Sequence, residues 1–437
     1  MSQEMLFDAG EPDSTKDSTP LEGEVRLKRA NRDQALMSAC AIDELIPIDH
    51  RARAFWHLLE RYDLSAFLSE SRSRGSNPGR PQIDPRVLIC LWLYATSESV
   101  GSARRLAQLI ERDAPYRWIA GGMTIGYHTL SDFRVKHEAA LNQLLTDQLA
   151  LLMSTGVVRL SRIAQDGTRV RANAGASSFR RGTSLKKCLR EAKKQVKATL
   201  TRLETEPKGD DSKRKQAAAA RAAADREDRI RKAIAELKEL REGPQRGKDP
   251  NEVRASTTDP EARVMKHADG GYRPSFNVQG AIDVESRIIV DVAVTKRGND
   301  YDEIEPMLDR VQERYGRLPD EVLVDGGYAK KEDIGKAETR GVAIYAPQSK
   351  QRTGDPAKLR RGDPPGVDYW RQRMAKPESA EVYKQRAATI ETSFGDFKQH
   401  RGLRQLPVRG IDKAFSVALW TVLSFNFVQE ISLTTLF

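Results

Sequence analysis

Hydrophobic period changes along this chain, and the order of the changes leaves few folds open. From about Ala41 to Ser154 the apolar residues recur at three- and four-residue steps, the period of a helix. Asp84-Pro85 opens one helix, an N-cap acid ahead of a proline whose missing N–H is harmless in a first turn; Val87, Leu88, Leu91, Tyr94 and Ala95 share its face. Ser102 caps a second helix through Leu106, Leu109 and Ile110. A turn with Pro115, Gly121, Gly122 and Gly126 follows, and Thr129 to Val135 reads as a third short helix. Three short helices with tight turns suit a helix-turn-helix unit or an ordinary helical packing domain.

Val157 to Val170 then reads as an extended strand ending in Asp166-Gly167-Thr168. Over 185–241 the helical period returns at Leu185, Leu189, Ala192, Val196, Leu200 and Leu203. Pro207-Lys208-Gly209-Asp210 breaks it, and Ile230, Ile234, Leu237 and Leu240 resume it. Narrow apolar stripes amid Lys, Arg and Glu predict an antiparallel helical hairpin projecting from the body. Strands follow at Phe276 to Asp283 and Arg287 to Val294. Next come a helix with Ile304, Met307, Leu308, Val311 and Tyr315 on one face, a buried strand Val322-Leu323-Val324-Asp325, a short helix, and a strand Val342 to Tyr345. Residues 346–376 form a basic Pro/Gly/Arg loop, and a long helix spans about Glu378 to His400 with Tyr383, Ala387, Ile390, Phe394 and Phe397 as its apolar stripe. With the hairpin set aside, the order is that of an α/β fold in which the first and fourth strands lie side by side under a late helix.

Charge narrows the partner. Lys and Arg outnumber Asp and Glu by 73 to 62, and residues 1–24 hold seven acids against Lys16, so the remainder is the more basic. Such a surface concentrates polyanions, nucleic acid first among them, although a merely soluble basic protein has the same balance. Cys40, Cys90 and Cys188 are scattered and odd in number, which suits a reducing compartment better than a disulfide framework. The stretch Ala414 to Ile431 carries Ser416, Thr421, Ser424, Asn426, Gln429 and Glu430, and is expected to be a buried helix and not a membrane span.

Asp166 at or near the end of the first strand, Asp325 closing the fourth and Glu391 on the late helix are the candidate metal ligands. Gly167 after the first, and Gly326 and Gly327 after the second, leave room for a ligand. Taken singly, each is one acid among 62, and an Asp before Gly is commonly a turn residue. Together, on regular elements in this order, they suit a two-metal phosphoryl-transfer site. Asp259, before Pro260, and Asp283, at a hairpin turn, rank below them. Arg104, Arg105, Arg134 and Lys136 are candidate DNA contacts in the helical region. In the loop, Lys350, Arg352, Lys358, Arg360, Arg361, Arg371 and Arg373 surround Trp370, a pattern suited equally to a distorted DNA end or to a tryptophan anchoring the loop. Glu391 and Lys398 are seven apart and share a helix face, so Lys398 is either a solvated helix charge or a cation that can reach a phosphate beside the acids.

Five segments in order resemble the bacterial insertion-sequence DDE transposases with an InsH-like helical N-terminal domain. They are Gly79-Arg80-Pro81 through Arg134 with TIGYHTLSDFR at 124–134; AQDGTRVRANA at 164–174; TDPEARVMK at 258–266 with FNVQGAID at 276–283; VLVDGGY at 322–328; and Tyr383-x2-Arg386-x4-Glu391-x6-Lys398 continuing into GLRQLPVRG at 402–410. The last carries one residue more between Arg386 and Glu391 than the family's usual signature. The resemblance implies an RNase H-like catalytic domain over 156–184 and 250–437, an InsH-like DNA-binding domain over 41–155, an inserted charged hairpin over 185–245 and a disordered leader over 1–40. It implies Asp166, Asp325 and Glu391 holding Mg²⁺ or Mn²⁺, with Tyr383, Arg386 and Lys398 near the DNA. The expected activity is cleavage of double-stranded DNA at element ends and joining to target DNA by a cytoplasmic enzyme acting as a homodimer, away from any membrane. An RNase H-fold nuclease that only hydrolyses, and a catalytically silent DNA-binding derivative, are the competing classes.

Overall fold

The computed structural model describes residues 39–69, 81–205, 210–243, 249–348 and 357–434. The leader expected over 1–40 lies almost wholly outside these, as do Gly79, Arg80, Pro207, Lys208, Gly209, Lys350 and Arg352.

Eight strands occur among the described residues: β1 (Arg162–Arg171), β2 (Phe179–Arg180), β3 (Ala255–Ser256), β4 (Arg263–Lys266), β5 (Tyr272–Asp283), β6 (Ile289–Thr295), β7 (Glu321–Leu323) and β8 (Ala343–Tyr345). β2 and β3 form a separate ribbon. The other six make one mixed sheet. β5 pairs antiparallel with β4, β6 and β1, while β1, β7 and β8 run parallel. The expected first and fourth strands, β1 and β7, therefore do lie side by side. β7 and β8 are three residues each, with Val322, Leu323, Ile344 and Tyr345 buried, as expected of strands covered on both faces. β1 corrects the expected strand in one respect. Asp166 lies in its middle, because β1 leaves β7 after Ala164 but stays paired with β5 as far as Arg171.

The N-terminal part is helical. Asp84 accepts from the Arg86 N–H and Ser102 from the Arg105 N–H, so both helix starts are capped as expected. Between the second and third expected helices, where a turn was read, a short helix Ala114–Ile119 forms with Pro115 in its first turn. Tyr127–Lys136 and Glu138–Ser154 complete the set.

The helix Ile411–Thr434 joins these helices to the sheet. It is long and apolar enough to cross a membrane by length and composition, yet most of its apolar residues are buried in the protein's core. Its polar residues explain why. Asn426 accepts from the Ile289 N–H and donates to the Ile289 carbonyl, both at 2.9 Å, which fixes the helix against β6. Ser424 donates to the Leu93 carbonyl on the helical side at 2.9 Å. Glu430, fully buried, takes Tyr62, Arg61 and Gln148. Burying such groups is tolerable only because each has a partner.

Helices Gly182–Thr205 and Asp210–Glu242 pack together as a hairpin. A small cluster of Leu185, Ala233, Leu237 and Ala255 roots it on the β2–β3 ribbon. Glu236 bonds Arg263 and Lys296, tying the second helix to the main sheet. The stretch read as a basic loop contains a helix, Val367–Met374.

Candidate active site

Asp166 sits where small residues, Gly280 on β5 and Gly167 on β1, leave room around the strand pair. Asp166 faces Gly280 across the strand pair. A Cβ on Gly280 would meet the Phe394 ring at 3.1 Å, so its absence lets the late helix close on the sheet beside Asp166. On the opposite face, Gly167 leaves space for polar groups. Asp300 Oδ1 accepts from Gln279 Nε2 and Asn277 Nδ2, each at 2.7 Å, and Tyr328 donates to Gln279. This buried network backs the strand that carries Asp166. Asp325 follows β7 and accepts from the Gly327 N–H at 2.7 Å, which caps the turn Gly326–Tyr328.

The helix from Glu378 to His400 is continuous, but it contains a π-turn over Ala387–Glu391. One extra residue in a helix is absorbed in just this way. The additional residue between Arg386 and Glu391 therefore adds to the turn without rotating Glu391 away. Arg386 Nη1 donates to Asp166 Oδ2 at 2.9 Å, and Nη2 bonds Glu391. The first strand and the late helix are thus brought together through one buried guanidinium.

Electrostatics follow from that packing. Burial pushes the Asp166 carboxyl up to about 6; Arg386 and the Gly167 N–H oppose the rise, and the Asp325 charge adds to it. Burial leads the causes acting on Arg386 and favours its neutral form, but the Asp166, Tyr383 and Glu391 charges more than compensate, so its pKa lies above the ordinary arginine value. Burial chiefly, with the Asp325 and Glu391 charges, also raises the half-buried Tyr383 phenol against the opposing influence of Arg386. All three acids offer hard oxygen donors, the type a divalent Mg²⁺ or Mn²⁺ takes. Among the described residues no three His, Cys, Asp or Glu side chains lie close enough together to hold a metal. Arg386 lies between two of the three carboxylates, so a metal and this guanidinium draw on the same oxygens.

Two expected DNA contacts are corrected. Arg134 is buried, donates to the Gly101 carbonyl and lies 4.8 Å from the Trp92 ring centroid. Arg371 is 3% exposed and bonds Asp363 Oδ2 through Nε at 2.9 Å; with Lys331 it holds that carboxylate below the usual range. Trp370 donates to the Ala346 carbonyl from a buried position, so it anchors the segment. Arg104 and Arg105 remain exposed, Arg104 over the Tyr127 ring. Asp283 accepts from Ser286 in its hairpin turn, and Asp259 accepts from the Gly410 N–H, both remote from the Arg386 contacts in their bonding.

Comparison with known families agrees with this layout. The model described as Transposase DDE domain matches residues 246–427, and Transposase domain (DUF772) matches residues 40–136. The chain belongs with the insertion-sequence DDE transposases. No curated protein and no solved structure matches it. A DDE transposase domain implies an RNase H-like fold, DNA as partner and a divalent metal as cofactor, and the mixed sheet behind a helical N-terminal part is consistent with that fold. The DDE match covers Asp325 and Glu391; Asp166 precedes it and is joined to the late helix by its contact with Arg386. Sequence reasoning passed over Asn277, Gln279 and Asp300. The alternation of polar Asn277 and Gln279 in an otherwise apolar strand was the available signal.

Proposed function

We propose that the protein is a DNA transposase that cleaves the ends of an insertion element and joins the freed 3′-hydroxyl to target DNA. The observation that carries this reading is the bonding of Arg386 to both Asp166 and Glu391, beside Asp325. Asp166, Asp325 and Glu391 would hold Mg²⁺ or Mn²⁺ through carboxylate oxygens once Arg386 gives way. A divalent metal bound there supplies Lewis acidity and an activated water for phosphodiester hydrolysis. The chain's own residues do the rest. Strand, turn and helix fix the three acids, and a fixed geometry matters because small misplacements cost rate. Arg386, released from a carboxylate, and Lys398 neutralise phosphate charge as it develops. Tyr383 stands beside Arg386. Arg104 and Arg105 on the helix Ala103–Arg112 bind the duplex of the element end. Two ends must be joined, so the working form is a homodimer on DNA.

The test is a strand-transfer assay with Mg²⁺ and duplexes bearing the terminal repeats that flank the gene. Joined product supports the proposal. Nicked product alone makes the protein a nuclease, and bound DNA alone makes it a silent derivative. Asp166→Ala, Asp325→Ala and Glu391→Ala are each expected to abolish cleavage while binding persists; wild-type cleavage in any one removes that residue from the site.

A further inference from the structure

A cavity of about 510 Å³ opens at the end of β1 beyond Asp166, and half of the residues that line it are arginine or lysine. Arg169 and Arg171 reach it from the end of β1, His267 from the β4–β5 turn, Arg273 from the start of β5, and Lys398 and Arg404 from the end of the late helix and the chain after it. Asp269 is the acid in its wall, and Arg273 already holds it with bonds of 2.8 and 2.7 Å. Arg169 is shared with Asp300 at 3.3 Å. No ion pair involves Arg171, Lys398 or Arg404 among the described residues. Arg404 donates only to the Lys398 carbonyl and the Gln399 side chain. The cations crowd one another. Burial first, and then the Arg169 and Arg404 charges, lower the proton affinity of Lys398, with Asp166 opposing. Burial and Arg273 likewise lower that of His267, as do Lys398 and Arg169.

Like charges held together in a concave wall are unfavourable until an anion enters. The volume is that of a ligand pocket of about 300–1,000 Å³, larger than a lone ion requires. We propose that this cavity binds successive backbone phosphates of a nucleic-acid strand on its way to the carboxylates, with Arg171 and Arg404 as direct phosphate contacts. Two features favour a strand over a free phosphate. Cations line the cavity from three separate elements, which spreads the charge along a path. One wall residue, Lys398, lies within electrostatic reach of Asp166, so the path leads to the acids. The inference rests on the DNA-processing reading above, whose assay is separate.

The experiment measures binding of labelled element-end duplex to the full chain across a salt series. Each lost phosphate contact lowers the slope of log affinity against log salt by about 0.9. Arg171→Gln/Arg404→Gln is expected to lower that slope by about 2 and to weaken binding roughly tenfold at moderate salt. Arg171→Lys/Arg404→Lys restores the slope, and Arg317→Gln/Lys376→Gln, an equal charge change on other exposed residues, leaves it unchanged. Unaltered slope in a folded Arg171→Gln/Arg404→Gln protein overturns the inference. So does a result in which duplex binding is unchanged but the variant loses a thermal shift that inorganic phosphate gives the wild type; the cavity would then take free phosphate. Should the double variant unfold, Arg171→Gln alone, with an expected slope change near 1, decides the matter. If the wild type neither cleaves nor joins DNA but the slope still depends on these arginines, the function fails and the cavity stands. If it cleaves and the slope is indifferent, the cavity assignment alone fails.

Discussion

Gly167 directly follows Asp166, and its bare Cα is what admits Asp300 and Gln279 behind the strand. A Cβ there would lie 2.2 Å from Asp300 Oδ1 and 2.3 Å from Gln279 Nε2, closer than atoms tolerate. Gly167→Ala must therefore move the strand or break the Asn277–Gln279–Asp300 network. Cleavage is expected to fall by roughly 100-fold, the scale of a 1 Å displacement of a catalytic group, while duplex binding holds. Unchanged cleavage in single-turnover assays would detach that network from the site. Asp259 gives a pH prediction. It is fully buried, its Oδ2 has no hydrogen-bond partner, and burial pushes its carboxyl up to about 6 from 3.8. A carboxyl raised on folding favours the native state most below its unfolded pKa, and that contribution is lost as pH rises through about 6. Asp259→Asn is thus expected to unfold at a higher temperature than wild type at pH 8, by roughly 1–2 kcal/mol in stability, with the difference gone below pH of about 4. Equal stability changes at both pH values would mean that the charge is not the cause.

At the scale of elements, the π-turn Ala387–Glu391 decides how the late helix meets the sheet. In an α-helix, residues four apart share a face; in a π-turn, residues five apart do. Arg386 and Glu391 are five apart and both reach their partners. Deleting exposed Ala388 should convert the turn to α-helix and leave the arginine and glutamate on one face. Cleavage within about tenfold of wild type is expected, against the loss that a one-residue rotation of about 100° would cause in a regular helix. Abolished cleavage in a folded deletion variant would show that the turn has a role beyond absorbing a residue. The same element explains what was legible beforehand. Tyr383, Ile390, Phe394 and Phe397 repeat closely enough to helical spacing to announce a long helix, but a π-turn leaves no mark in a periodicity that stays in phase on either side.

At the scale of the molecule, the helix Ile411–Thr434 makes the N-terminal helices and the sheet one core. Its Glu430 accepts from Tyr62 Oη, Arg61 Nη1 and Gln148 Nε2 at 3.2, 3.0 and 2.9 Å. Glu430→Ala leaves those donors unpaired and is expected to cost roughly 1–3 kcal/mol in denaturant unfolding. Residues 42–434 should melt in one transition by calorimetry; two resolved transitions would mean that the helix does not couple the parts.

Local pattern alone determined the order of the main strands and helices, the capped helix starts at Asp84 and Ser102, the hairpin stripes and the apolar run that leads to Asp325, because periodicity and capping are properties of neighbouring residues. Local pattern also marked Asp166, Asp325 and Glu391 as acids on regular elements. Only the tertiary structure decided which charges were free to act. Arg134 and Arg371 look like surface cations in sequence, yet one lies on Trp92 and the other holds Asp363. Conversely, Arg169, Arg171, Arg273 and Arg404, spread over more than 200 positions, become one wall. Burial and long-range pairing set a side chain's solvation and partners, and neither is written in its neighbours along the chain.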